Sequence, residues 1–241
     1  MTASLQHTNH ASTTTADPFN GEHGFTVLVD KPLSWTSFDV VKKIRGISRC
    51  RKVGHAGTLD PLATGLLIVC GGKKTKLLNN YLALPKTYSG TFRLGITTPS
   101  HDLETAPSLE RPTHHIGEEH VRLAMRRLTG RITQKTPLYS AIKKDGKSLY
   151  KYARKGFEVE TPSRTIDILS FELTGYTNPD ISFSVECSSG TYIRSLVHDI
   201  GELLQCGAVL TSLRRERIGE VSLHDAWDIK ELEKFQRPRI S

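Results

Sequence analysis

GHAGTLDPLATGLLIVCGG, residues 54–72, decides the fold. Asp60 followed by Pro61 has the make-up of a helix start, with the carboxylate as N-cap and proline in the first helical position. PLATG, however, offers barely one turn before Gly65. GLLIVCGG is a short apolar run bounded by glycines, the pattern of a buried strand. Asp60 is therefore expected in a tight loop between two elements. Small residues around it (Gly54, Ala56, Gly57, Ala63, Gly65) let a ligand's backbone approach closely.

Working outward, short strands and helices alternate without a regular strand–helix–strand beat. FTVLVDKP (25–32) reads as a strand stopped by proline, and TSFDVVKKIRGI (36–47) as a helix with Thr36 or Ser37 as N-cap. KKTKLLNNYLAL looks helical and KTYSGTFRLGI looks like a strand. Residues 97–117, with three prolines and many polar residues, read as a surface loop. GEEHVRLAMRRLTG is an amphipathic helix with acids in its first turn and a glycine at its end. RTIDILSFELTGY and DISFSVECSSG are strands joined by TNPD. TYIRSLVHDIGELL is a helix, AVLTSLRRERIG a strand and DIKELEKF a short terminal helix. The class is α+β, with a mixed, largely antiparallel central sheet and flanking helices. Residues 1–23 are polar and without periodicity, an expected disordered tail.

Composition narrows the chemistry. The 241 residues are 37% hydrophobic and 24% charged, as in ordinary globular proteins, and no run reaches the roughly 18–20 apolar residues that cross a bilayer. No Lys or Arg precedes Lys31, so the basic start of a signal or transit peptide is missing and a cytoplasmic protein is expected. Cys50, Cys70, Cys187 and Cys206 stand far apart and form no CxxC pair, which argues against a zinc ribbon or a disulfide framework. His114, His115 and His120 cluster before a helix without an HExxH pattern, so no metal site is expected. Net charge is +8, and residues 121–164 hold 12 Lys/Arg against 3 Asp/Glu while the remainder holds 21 against 22. The whole cationic excess lies in one stretch, with Tyr139, Tyr150 and Tyr152 interleaved. That pattern suits a nucleic acid with unpaired bases.

Five segments taken together resemble the TruB family of bacterial tRNA pseudouridine synthases. They are VLVDKPLSWTSFDVVKKIR, GHAGTLDPLATGLLIVCGGKKTKLL, KTYSGTFRLG, PLYSAIKKDGKSLYKYARKG and SSGTYIRSLVHDIGELLQCGAVLTSLRR, in that order, and the resemblance covers roughly residues 25–220. The resemblance implies the pseudouridine synthase fold over 24–225, with a basic RNA-gripping insertion at about 130–160. It implies isomerisation of a uridine in the T arm of tRNA, conventional position 55, on a flipped-out base. It also implies that Asp60 is the catalytic aspartate, that Tyr88 stacks on the target base and serves in proton transfer, and that Arg194 pairs with the aspartate. Tyr192 is expected to line the base pocket, His55 to fill the space left by flipped nucleotides, and Lys31 and Leu213 to support the pocket. Lys143, Lys144 and Lys147 are expected to clamp the arm.

The reaction breaks a C1′–N1 bond and makes a C1′–C5 bond without net redox change, so it needs no cofactor and no metal. It needs a nucleophile or base near C1′, which an ionised Asp supplies. Whether Asp60 attacks the sugar, attacks the base or abstracts the C2′ proton is left open by the residues. Many family members carry a C-terminal RNA-binding domain. Here 226–241 read as a short tail, so no full domain of that kind is expected. The expected partner is the T arm of tRNA, with no membrane, no obligatory protein partner and a monomeric state. Two rivals are a non-catalytic tRNA-binding or RNA-folding protein and a guide-RNA-dependent pseudouridine synthase. Intact Asp60, Tyr88 and Arg194 speak against the first, and the missing C-terminal module against the second.

Overall fold

The computed structural model describes residues 16–140, 142–144, 146–154, 157 and 159–236; at Leu109, Lys143, Lys144, Lys147 and Ser148 it describes the backbone alone. In chain order the first half runs β1 (Thr26–Lys31), α1 (Ser37–Ser48), β2 (Val53–Ala56) and β3 (Ala63–Gly71). A 3-10 turn (Gly72–Leu77) leads into α2 (Leu78–Ala83), followed by β4 (Lys86–Leu94), β5 (Ile96–Thr97), β6 (Leu109–Glu110) and α3 (Glu118–Arg127). Then come β7 (Gly130–Lys135), β8 (Lys143–Lys144), β9 (Lys147–Ser148), α4 (Leu149–Ala153), β10 (Ser163–Thr177) and β11 (Asp180–Cys187). The chain continues through α5 (Ile193–Leu203), β12 (Ala208–Ile218), β13 (Val221–Ser222) and α6 (Ile229–Glu233). It forms two compact units, one made of the chain through Leu82 plus the chain from Glu216 onward, the other of Ala83–Arg215.

In the first unit the apolar run after the opening motif becomes β3, as its glycine-bounded pattern requires. β3 pairs antiparallel with β1, Val29 opposite Leu67, and with β2, His55 opposite Val69. α1 starts in a capping box: the Thr36 hydroxyl accepts from Asp39 N–H at 3.0 Å, and the Asp39 carboxylate accepts from Thr36 N–H at 2.9 Å. Its face of Val40, Val41, Ile44 and Ile47 packs on Val27, Val29, Leu67 and Val69.

Both ends of the expected catalytic domain extend further than its pattern indicated. Phe19, placed in the expected disordered tail 1–23, is buried edge-on against Phe25 at 5.0 Å, so the core begins earlier; residues 1–15 lie outside the described residues. The stretch from residue 226, read as a tail, carries Ile229 and Leu232 into the same core. Trp227 also bridges the edge of β1: its N–H donates to Leu28 C=O and its C=O accepts from Asp30 N–H. Apolar residues at helical spacing, too few to register as an independent module, suffice to dock this segment.

In the second unit β4, β11, β10 and β7 pair antiparallel in that order, with β12 along the other side of β4. Thr91 of β4 bonds the hydroxyls of Thr211 and Ser212, and a Cβ at Gly90 would stand 2.4 Å from Ser212 C=O, so this contact excludes larger residues. Phe92, Phe171 and Phe183 form the aromatic centre of the sheet's covered face. α3 packs on β10 and α5, and α5 buries Leu196, Val197 and Ile200. The α+β reading with a mixed, largely antiparallel sheet and flanking helices is thus what the chain adopts.

The loop 97–117 departs from the surface reading. Thr98, Ser100 and Asp102 are buried because they satisfy one another: the Thr98 and Ser100 hydroxyls donate to Asp102 C=O at 2.7 and 3.2 Å. Among the described residues no helix is long and apolar enough to cross a membrane.

Candidate active site

The candidate residues divide between the two units. In the first, Asp60 lies in the stretch between β2 and β3, where it opens a turn closed by Ala63 N–H donating to Asp60 C=O at 3.1 Å. Gly57 and Gly65 bracket this loop at φ of 89° and 101°, values only glycine adopts readily, so these two are needed for the path of the chain itself. The bonds that fasten the loop run through residues on either side of Asp60. Ser37, at the start of α1, accepts from Leu59 N–H and donates to Leu59 C=O. Pro61 C=O accepts from Ser34 N–H at 2.9 Å and from Lys31 Nζ at 3.4 Å. Lys31 is fully buried and also donates to Pro32 and Trp35 carbonyls at 2.9 and 2.6 Å, the hydrogen bonding a buried ammonium requires. It ties the DKP turn to the Asp60 loop, a positioning contact made by backbone oxygens. His55, half-buried on β2, stands five residues before Asp60.

In the second unit Tyr88 is buried on β4 opposite Val185. Lys86, on the same face, has its ammonium pushed down to about 8, first by burial and then by the neighbouring Arg215 guanidinium. Tyr192 is the extended N-cap of α5 and Arg194 follows in the first turn. Arg194 is 4% exposed, and its guanidinium reaches Ser100 C=O at 2.8 Å, Tyr139 C=O at 2.8 Å and the buried Asp102 carboxylate, Oδ2 lying 3.5 Å from Nε. The planar, always-charged fork of arginine suits such divergent acceptors. Leu213 is half-buried on β12.

Gly190, in the SSGTY turn before α5, has φ 83°, and a Cβ there would stand 2.9 Å from Arg164 Nη1. That guanidinium donates to Gly190 C=O at 3.1 Å and lies 5.4 Å from the centre of the Tyr192 ring. The basic hairpin is formed by β8 and β9, with Lys144 opposite Lys147 and Gly146 at φ 76° in the turn. Of the interleaved tyrosines, Tyr150 donates its hydroxyl to Glu104 at 2.7 Å and packs edge-on against Tyr139. His120, from the histidine cluster, has its Nδ1 accept from Gly117 N–H at 3.0 Å and so caps α3.

Pattern reading missed Asp102, Gln134 and the clasp made by Ser37. Asp102 is hidden in a loop that looked exposed. Gln134 shares a face of β7 with Ile132, and a polar residue at a core position of an alternating strand is the signal that finds it.

Two family profiles adjoin along the chain. The profile of the TruB family pseudouridylate synthase N-terminal domain matches residues 45–193, and that of the tRNA pseudouridylate synthase B C-terminal domain matches 194–238. tRNA pseudouridine synthase B of Flavobacterium johnsoniae is 47% identical over 213 residues, 86% of this chain and 93% of that one. Its counterpart in Phocaeicola vulgatus is 48% identical over 218 residues, 88% and 92% of the two chains. Among solved structures, a chain of a Cbf5-Nop10-Gar1 complex superposes with a TM-score of 0.68 at 29% identity. The match covers 88% of this chain but 54% of that one, so this chain spans about half of its length. With both profiles adjoining and close relatives matched over most of their length, the chain belongs to the TruB family of pseudouridylate synthases.

Proposed function

We propose that this protein isomerises a uridine of tRNA to pseudouridine, at the T-arm position conventionally numbered 55, acting in the cytoplasm as a monomer without a cofactor or an obligatory protein partner. One observation carries the reading: Asp60 lies in a loop held rigid by Lys31, Ser34 and Ser37, in a family whose relatives are named tRNA pseudouridine synthase B. A fixed carboxylate suits a reaction in which one group must meet one atom of a flipped nucleotide.

In this reading Asp60 acts as nucleophile or base while the C1′–N1 bond breaks. Uracil turns and C5 bonds to C1′; the C5 proton is lost and N1 gains one, so atoms and charge balance. Arg194 would hold Asp60 charged and oriented, as charge-assisted hydrogen bonds do. Tyr88 would stack on the uracil ring and relay a proton, Tyr192 would line the pocket with Leu213 behind it, and His55 would occupy space vacated by the opened loop. Lys143, Lys144 and Lys147 would grip phosphates of the arm, offsetting the cost of extruding the base, a few kcal/mol. The test is direct: a T-arm transcript is incubated with the protein and its pseudouridines are mapped. A new pseudouridine at the T-arm uridine is expected; binding without any product would favour the RNA-folding alternative.

A further inference from the structure

The start of α5 is held by a side chain that no reading of the reaction includes. Gln134 is 1% exposed on β7, and its carboxamide meets both polar groups of the Tyr192 backbone. Tyr192 N–H donates to Gln134 Oε1 at 2.8 Å, and Gln134 Nε2 donates to Tyr192 C=O at 3.0 Å. One side chain thus imitates the two-bond exchange between neighbouring strands. Tyr192 needs such a partner, because α5 has no side-chain cap at this position and the first N–H groups of a helix lack intrahelical acceptors. Directly across the strand pair from Gln134 stands Arg164, which grips Gly190 C=O and lies beside the Tyr192 ring. Two cross-strand neighbours therefore hold the turn 190–192 from β7 and β10.

We propose that Gln134 is a positioning residue for the isomerisation. By fixing the Tyr192 backbone it sets the ring that lines the base pocket and, two residues on, the direction in which Arg194 leaves the helix. The inference rests on the proposed function and adds a residue to it. Docking of α5 as a whole has other support: Ile193, Leu196, Val197 and Ile200 are buried along it, and Ser195 Oγ donates to Lys135 C=O at 3.3 Å. Losing the carboxamide consequently leaves the helix in place and frees its first turn. A displacement of about 1 Å in a catalytic constellation costs on the order of 100-fold in rate.

Gln134→Met keeps the length and removes both hydrogen-bonding groups. Gln134→Glu keeps the shape and makes the clamp depend on protonation. A protonated carboxyl still donates to Tyr192 C=O and accepts from its N–H, whereas a carboxylate only accepts. Single-turnover pseudouridine formation in a T-arm transcript, transcript affinity and thermal unfolding are measured for wild type and both variants. For Gln134→Met the expected result is a rate lower by about 10- to 100-fold with affinity within about twofold of wild type. For Gln134→Glu the rate relative to wild type is expected to recover as pH falls and the new carboxyl protonates, a dependence that a merely structural role would not produce. A Gln134→Met rate within about twofold of wild type, or rate and affinity falling together, would overturn the proposal. Absence of product from the wild-type protein would instead remove the assignment of the reaction on which it rests.

Discussion

Ser37 holds Leu59 from both sides, its hydroxyl accepting from Leu59 N–H at 2.8 Å and donating to Leu59 C=O at 3.2 Å. The residue that follows is Asp60. Ser37→Ala leaves a buried N–H without its acceptor, at a cost of about 1–3 kcal/mol. The expected outcome is a lower unfolding midpoint together with a slower single-turnover rate, since the slackened segment leads into the loop that carries Asp60, the proposed catalytic residue. A variant that loses stability yet keeps the full rate would show that Ser37 fastens the fold and leaves Asp60 unaffected.

Asp60→Asn is close in size and retains a carbonyl for local hydrogen bonding, but it is neither a base nor a nucleophile. Release of tritium from 5-tritiated uridine in a T-arm transcript is expected to disappear while the transcript still binds. Appreciable turnover by this variant would overturn the role given to Asp60.

Replacing Lys143, Lys144 and Lys147 together by Ala tests the basic hairpin. Each phosphate contact adds about 0.7–0.9 to the slope of log affinity against log salt. Weaker tRNA binding with a flatter slope is therefore expected, and an unchanged slope would show that these lysines do not touch the backbone of the RNA.

Acid should act on the cavity of about 740 Å³ beside α5, whose walls include His101, His198 and Asp199. The two imidazoles stack at 4.0 Å, nearly parallel. Burial, reinforced by His198 and Arg194, pushes His101 down to about 3, and burial lowers His198 against the pull of Glu202. Both rings therefore protonate at lower pH in the folded protein than in the unfolded chain, which takes up protons below about 6.5. Stability contributed by these rings is therefore lost as pH falls below 7, for His101 down to about 3. Asp199 has the opposite sign: burial, then Glu202, raise its carboxyl to about 6, so the folded state gains a proton first and becomes more stable as pH falls through 6 toward 4. His101→Asn, which tolerates the φ of 63° found there, is expected to flatten the acid loss of the unfolding midpoint. Asp199→Asn is expected to raise the midpoint at pH 8 and to steepen its fall between pH 6 and 4. Parallel curves for all three proteins would refute these assignments.

The sequence made most of the fold legible wherever a residue's own chemistry sets its surroundings. β3 follows from an apolar run between glycines, α1 from Thr36 and its capping box, and the β10–β11 hairpin from alternating residues around TNPD. Asp60 was identifiable as a loop residue because PLATG is too short for a helix. The interior of the 97–117 loop was not legible. Polar residues that pair with one another mimic the composition of an exposed segment, and only the folded chain shows that Ser100 and Asp102 serve Arg194. Similarly, TSF told of a cap but not that Thr36 would take it and free Ser37 for Leu59.

The unit containing Asp60 is assembled from both ends of the chain, with Trp227 stitched to β1 and Leu232 in the core beside Val29. The unit bearing Tyr88 and Arg194 is one unbroken segment between them. During synthesis that inner segment emerges whole and is free to fold while β1 and α1 still lack their last strand-edge and helix partners. Completion of the Asp60 unit thus waits until the segment after Glu216 has been made, a loop closure spanning the entire inserted unit. Damage to Trp227, Ile229 or Leu232, far in sequence from Asp60, strikes the scaffold that carries it.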